Sequence, residues 1–233
     1  MYKKFLSILF VSLMLFSSCS SKTADTSSDQ KSSMAGNCSK ASVAEFMQVF
    51  GTHELGGLLS GLVLDEKHCY NVTPEQIEKM TSAQIFKFSD SCATFLYLDG
   101  QVYPFGDWFG GFGFVNAVPC DFDEDGNWDI LYTYSWGSGL HRSLIAVFNT
   151  QTKQSTVLHD SLETNTPRVD YYIGTQSPST DIPGEITPTY YAIYTAEIEV
   201  LEDNFANLAY TLTGTAGSIK SENGIPVFYP TNS

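Results

Sequence analysis

Nine consecutive residues, Asp121-Phe122-Asp123-Glu124-Asp125-Gly126-Asn127-Trp128-Asp129, put acidic oxygens at positions 1, 3, 5 and 9 of a loop and a glycine at position 6. Hard Ca²⁺ takes roughly six to eight oxygen ligands, and short carboxylates on alternate residues of a tight turn supply them. The glycine permits the left-handed backbone that such a turn demands. The spacing therefore predicts a calcium-type loop, with Ca²⁺ acting as a structural staple between two strands.

Two further stretches carry side chains suited to recognition. Tyr103-Pro104-Phe105-Gly106-Asp107-Trp108-Phe109-Gly110-Gly111-Phe112-Gly113-Phe114 interleaves large rings with glycines in no strand-like order. Rings displayed on a loop, above all Trp108 and Phe109, bring large contact area at small entropic loss, so they are candidates for stacking on sugars or anchoring a protein; filling the core beneath the loop is the plainer use. Trp136-Gly137-Ser138-Gly139-Leu140-His141-Arg142 offers a second rim, with Trp136, His141 and Arg142 as candidate contacts to an anion or carboxylate. Catalytic signatures are missing: there is no Gly-x-Ser-x-Gly elbow, no His-Glu-x-x-His helix and no phosphate-cradling glycine loop. Gly137-Ser138-Gly139 beside His141 is not an elbow, and His53, His68 and His159 stand isolated.

The elements that must position these residues read as a short helical entry followed by strands. Val43, Phe46, Met47 and Phe50 have the spacing of one helical face over Ser42 to Phe50. A second helix is expected from Thr73-Pro74-Glu75-Gln76, with Thr73 as cap and Ile77 and Met80 on its buried side. Asp99-Gly100 predicts a type I′ hairpin between Cys92 to Leu98 and Gln101 to Tyr103. Val115 to Cys120, Ile130 to Ser135, Ser143 to Phe148 and Ser155 to His159 then form a four-stranded antiparallel meander. Further strands follow at Val169 to Ile173, Tyr190 to Leu201, Ala206 to Thr213 and Ile225 to Tyr229, with turns at Asp203-Asn204 and Asn223-Gly224. The fold class is mostly β, an antiparallel meander of propeller-blade-like or sandwich-like form with short N-terminal helices. A single domain is expected over 42–233, its helical entry at 42–85 and its strands at 86–233.

A strand running into Asp-Phe-Asp-x-Asp-Gly-x-x-Asp-Ile-Leu, then a Gly-rich turn and another strand, resembles one FG-GAP or VCBS-type repeat, over about Val115 to Phe148. The resemblance implies a propeller-blade unit whose aspartates and one backbone carbonyl bind Ca²⁺, here Asp121, Asp123, Asp125, Asp129 and the carbonyl of Asn127. No second copy of the motif occurs in the chain. An EF-hand needs a glutamate at position 12 and flanking helices, and position 12 is Tyr132 within a strand pattern. Lacking that bidentate ligand, the loop belongs to the weak extracellular class, with Kd on the order of 10⁻⁴ to 10⁻³ M.

The N-terminus indicates location. Lys3 and Lys4 precede the apolar run Phe5 to Phe16, then Ser17-Ser18 and Cys19. This resembles a bacterial lipoprotein signal peptide over 1–18, with Phe16 where leucine is commonest and Cys19 as the lipid attachment site. Residues 19–41, rich in Ser, Lys, Asp and Thr, have little to bury and read as a flexible tether. The cysteines remaining, Cys38, Cys69, Cys92 and Cys120, are even in number in a chain expected to leave the cytoplasm, so two disulfides are predicted. Cys38 with Cys69 and Cys92 with Cys120 would keep the loops local, although three connectivities are possible. No Cys-x-x-Cys spacing supports zinc. The net charge of −14 and the lack of any basic run outside the signal exclude nucleic acid as a natural partner. The expected protein is a lipid-anchored binding or accessory component of a bacterial cell envelope, held to the membrane through its N-terminus and facing an extracellular protein or glycan. A glycan-active or other envelope hydrolase is the alternative, and a purely structural envelope part the third.

Overall fold

A computed structural model describes residues 32–33, 40–51, 64–107, 109–163, 169–175 and 190–231. The proposed signal peptide, Cys19, Cys38 and Trp108 lie outside the described residues. The fold is mostly β with two short helices, as expected. Among the described residues no helix is long and apolar enough to cross a membrane.

Three four-stranded antiparallel meanders follow one another along the chain. The first joins β2 (Cys69–Asn71), β3 (Gln84–Phe88), β4 (Thr94–Leu98) and β5 (Gln101–Pro104) in that order. The second joins β6 (Gly113–Cys120), β7 (Asp129–Trp136), β8 (His141–Asn149) and β9 (Gln154–Glu163). The third joins β10 (Asp170–Thr175), β11 (Tyr191–Val200), β12 (Leu208–Glu222) and β13 (Ile225–Pro230), and β1 (Ser32–Ser33) adds to β12. The helices are α1 (Lys40–Phe50) and α2 (Glu75–Thr81).

Alternation along each strand decides how these sheets stack. Ile85, Leu96 and Leu98 face the second sheet and meet Ile130, Tyr132, Tyr134, Ala146 and Phe148. Their neighbours Phe86, Phe88, Phe95 and Val102 face the other way and pack under α1. Phe46 of α1 is fully buried, stacked on Phe86 with ring centroids 4.2 Å apart. The opposite face of the second sheet carries Val118, Leu131, Ile145 and Val147 against Ile173, Tyr191, Ile193 and Ile219 of the third. The second sheet is thus the middle layer, which is why every residue of β6 is buried.

Half of that inner face is polar, and it grips the edge of β10. Asn116 (3% exposed) accepts from Ile173 N at 3.1 Å and donates to Ile173 O at 2.9 Å. Ser143 Oγ accepts from Tyr171 N at 2.8 Å. These side chains stand in for a neighbouring strand and satisfy backbone groups that an edge strand would otherwise bury unpaired. Thr133 Oγ1 donates to Asn116 Oδ1 at 2.9 Å and fixes the amide's orientation.

Lys87 ties the first sheet to the second. Its Nζ donates to Phe112 O at 2.6 Å and Phe114 O at 2.8 Å from a fully buried position. Burial pushes the ammonium down to about 7, against smaller opposing effects of Cys92 and Asp170. A neutral amine still has two N–H donors for these two carbonyls.

Several expectations are corrected by the packing. The segment expected to be a helical entry contains β2 and the start of β3 as well. Thr73 does not cap α2: Pro74 is the cap residue and makes no side-chain bond, while Thr73 Oγ1 accepts from Ile85 N at 2.7 Å. Met80 is 38% exposed rather than buried with Ile77. Cys92 and Cys120 are free buried thiols, so the expected local disulfide between them does not form. The reason is distance along β6. Cys92 abuts Gly113, at whose Cα a Cβ would lie 2.3 Å from Cys92 O. Cys120 ends the same strand about 20 Å away at the usual strand rise, far beyond the ~7 Å Cα limit of a disulfide. Burial pushes the Cys92 thiol up to about 11 and raises that of Cys120 as well. Cys69 is buried, and its expected partner Cys38 lies outside the described residues.

Two outcomes are expected. Asn116→Ala leaves both backbone groups of Ile173 unpaired and should lower stability by about 2–6 kcal/mol at ~1–3 kcal/mol per buried group, read as the urea midpoint. Lys87 carries a folded-state value near 7 against an ordinary 10.5, so between these pH values the unfolded chain holds a proton that the folded chain lacks. Stability therefore rises with pH across that window, by about 2 kcal/mol from pH ~7 to ~9, and Lys87→Met should abolish this rise.

Candidate metal loop and aromatic rim

The strand pair β6–β7 closes at Cys120 opposite Asp129, and residues 121–128 form the connection. Cys120 and Phe122 are buried beneath it, whereas Asp123 to Trp128 are exposed, so the loop stands on an apolar root with its acids in solvent. Its shape is set by local bonds. Asp121 Oδ1 accepts from Asp125 N and Oδ2 from Gly126 N, both at 3.2 Å. Asp125 accepts from Asn127 N at 2.7 Å and from its side-chain amide at 2.9 Å. The Asn127 side-chain amide and then its backbone N–H hold the Asp125 carboxyl below its ordinary range. Gly126 has φ +82°, the left-handed conformation expected of the glycine at position 6, and Glu124 is left-handed too, at φ +57°.

The result gathers Asp121, Asp123 and Asp125, each with a carboxylate oxygen within 4.8 Å of the others. Three like charges this close repel even in water, by about 1 kcal/mol per pair at 4 Å, and a divalent cation removes that repulsion. The donor set is all oxygen and fits a hard cation rather than zinc.

Asp129 does not join them. Its Oδ1 accepts from Thr150 N at 2.8 Å and its Oδ2 from the Asn149 amide at 2.9 Å. Thr150 Oγ1 also donates to Trp128 O at 2.8 Å. The carboxylate predicted as a fourth acidic ligand instead fastens the loop to the turn between β8 and β9. Burial raises its carboxyl above the ordinary range against the opposing bonds from Thr150 and Asn149. Asn127 donates its backbone N–H and side-chain amide to Asp125, bonds that do not involve the backbone carbonyl expected as its ligand atom.

The loop also touches a hairpin distant in sequence. Ser221 Oγ donates to Phe122 O at 2.6 Å. A Cβ on Gly224 would lie 3.3 Å from that of Asp123. The backbone of this loop is thereby coupled to the β12–β13 turn, whose Asn223 and Gly224 both have positive φ.

The aromatic loop is mostly core. Phe105 is fully buried and stacks on Tyr132 at 3.9 Å, and Phe114 is 2% exposed. Phe109 is 68% exposed and remains a displayed ring. Gly137 N donates to Phe109 O at 2.7 Å, joining this loop to the second rim. On that rim Arg142 lies over Trp136, 5.5 Å from the ring centre, and pairs with Asp160 at 2.9 Å. Its expected anion contact is thus supplied within the chain. His141 is not on the rim at all: it is 1% exposed, its Nε2 3.0 Å from Asp170, which is 0% exposed. Its parity on β8 turns it inward with Ser143 and Ile145. Lys87, Asn116 and Asp170, which organise this interior, carry no sequence signal, since each is a single polar residue in a strand. Compared with known protein families, curated proteins and solved structures, the chain matches no family model, no curated protein and no solved structure.

The separated duties of the acids lead to different expected outcomes. Asp129→Ala should destabilise the protein by about 1–3 kcal/mol in calcium and in chelator alike, because it strands the Thr150 N–H and the Asn149 amide. Asp123→Ala removes two of the three repulsions, so it should leave stability in chelator the same or slightly higher and remove any gain from calcium, with both read by thermal unfolding.

Proposed function

We propose that the protein is a surface-tethered, extracytoplasmic binding or accessory lipoprotein with one structural calcium-type loop. The observation that carries this reading is the Asp121, Asp123, Asp125 triad, shaped by its own backbone bonds and rooted on buried Phe122. Extracytoplasmic calcium is abundant enough to fill a site of Kd about 10⁻⁴ to 10⁻³ M, whereas cytosolic sites are built much tighter. The lipoprotein-type start at 1–19, with Cys19 as its lipid attachment residue, supports the same compartment. The loop joins the first two strands of a four-stranded meander, the arrangement that the resemblance to an FG-GAP or VCBS-type repeat implies. On this reading the ion staples the β6–β7 connection to the β12–β13 turn, and the partner is an extracellular protein or glycan.

Two measurements test the reading. With about 10 mM Ca²⁺ against excess chelator, binding at that affinity stabilises by about 1.4–2.7 kcal/mol. For a chain of this size this is a rise of roughly 3–10 °C in Tm. No rise would reduce the loop to an acidic turn. Separately, the full chain expressed in bacteria should partition into detergent, and Cys19→Ala should move it to the aqueous phase; a protein that is aqueous with Cys19 intact would end the anchoring proposal.

A further inference from the structure

The third sheet carries a groove on its outer face, made by an alternation of large and small side chains. Tyr191, Ile193 and Ile219 face the middle layer, so the residues between them face outward. Outward along one row lie Gly174, Ala192, Ser218 and Tyr229, paired across β10 to β13. Tyr190 and Tyr194 flank Ala192 on the same face, about 13 Å apart at the strand rise. The small residues leave a groove of about 360 Å³, bordered by Tyr190, Tyr194, Tyr229, Thr215, Ser218 and Thr231. Gly174 is part of its construction: a Cβ there would lie 2.5 Å from Tyr194 Cε2, so only glycine lets that ring lean over β10. Tyr190 and Tyr229 are each 38% exposed.

The chemistry of the lining selects a ligand class. Among the described residues its polar atoms are hydroxyls and backbone, with no carboxylate, guanidinium or imidazole. Lys220 borders it, its Nζ over the Tyr229 ring, 5.7 Å from the ring centre. The described lining offers rings and hydroxyls rather than charge, and a chain of net charge −14 repels polyanions. Ring faces beside a row of hydroxyls match a ligand with one flat apolar face and an edge of neutral hydroxyls, which describes a pyranose chain.

We propose that the groove lined by Tyr190, Tyr194 and Tyr229 is a binding site for neutral oligosaccharide. It deepens the binding reading given above, and it rests on that reading. The groove's place on the outermost sheet, on the face turned away from the middle layer, suits a component that grips polymer outside the cell.

The test is isothermal titration of the purified full chain with maltohexaose, cellohexaose, xylohexaose and mannohexaose, with hexagalacturonate as the charged control. At least one neutral oligosaccharide should bind while the uronate does not. Tyr229→Ala should weaken that binding at least tenfold, and Ser218→Arg, which fills the floor, should abolish it. Both variants must keep the calcium-dependent Tm of the parent. Phe109→Ala, on the aromatic loop, should bind as the parent does. Binding lost in Phe109→Ala and kept in Tyr229→Ala would overturn the groove while preserving the glycan-binding reading. No binding to any neutral oligosaccharide would also overturn the groove, leaving the accessory reading to the calcium and anchoring measurements.

Discussion

The architecture depends on how one strand edge is satisfied inside the protein. Strand β10 runs against the middle sheet with its open side inward, where each unpaired N–H or C=O would cost about 1–3 kcal/mol. Asn116 answers both groups of Ile173 and Ser143 answers Tyr171, so side chains do what a further strand would otherwise do. Because these bonds are directional, they fix where the third sheet sits on the second. The apolar half of the same face, Val118, Leu131, Ile145 and Val147, then supplies area without having to supply register.

Lys87 plays the corresponding part between the first and second sheets. Its amine seizes the carbonyls on either side of Gly113, at the point where the aromatic loop enters β6. With Phe105 stacked on Tyr132, this explains why a segment so rich in rings and glycines is held in place. Most of its rings face inward because the first two sheets need large groups to fill the space between them, and Phe109 alone of its described phenylalanines is fully displayed. Trp136 and Arg142 meet each other and Asp160 before they meet any ligand.

The acidic loop divides its carboxylates between two tasks. Asp121 and Asp125 fold the turn by accepting from its own backbone, and with Asp123 they present oxygens to solvent. Asp129 is drawn into the strand ladder and binds the next turn instead. Since Ser221 and Gly224 rest on the loop, an ion held there would brace two sheets at once rather than a single hairpin.

What the sequence determined by itself is local. The period of apolar residues in Val43, Phe46 and Phe50 specified α1, and Asp99-Gly100 and Asn223-Gly224 specified tight turns because both central residues must take positive φ. The meander from β6 to β9 and the acidic triad were legible for the same reason, being fixed by spacings of a few residues. Short β2, whose three residues carry too little periodicity, was not legible, nor was the full length of β12, whose Thr and Gly run reads as a turn until β11 and β13 pair with it. Only the tertiary structure decided which acid leaves the loop, which cysteines stay apart, and that His141 points to Asp170 instead of solvent. Those outcomes depend on which residues oppose one another across sheets far apart in sequence. A chain of letters states each strand's two faces without saying what either face will meet.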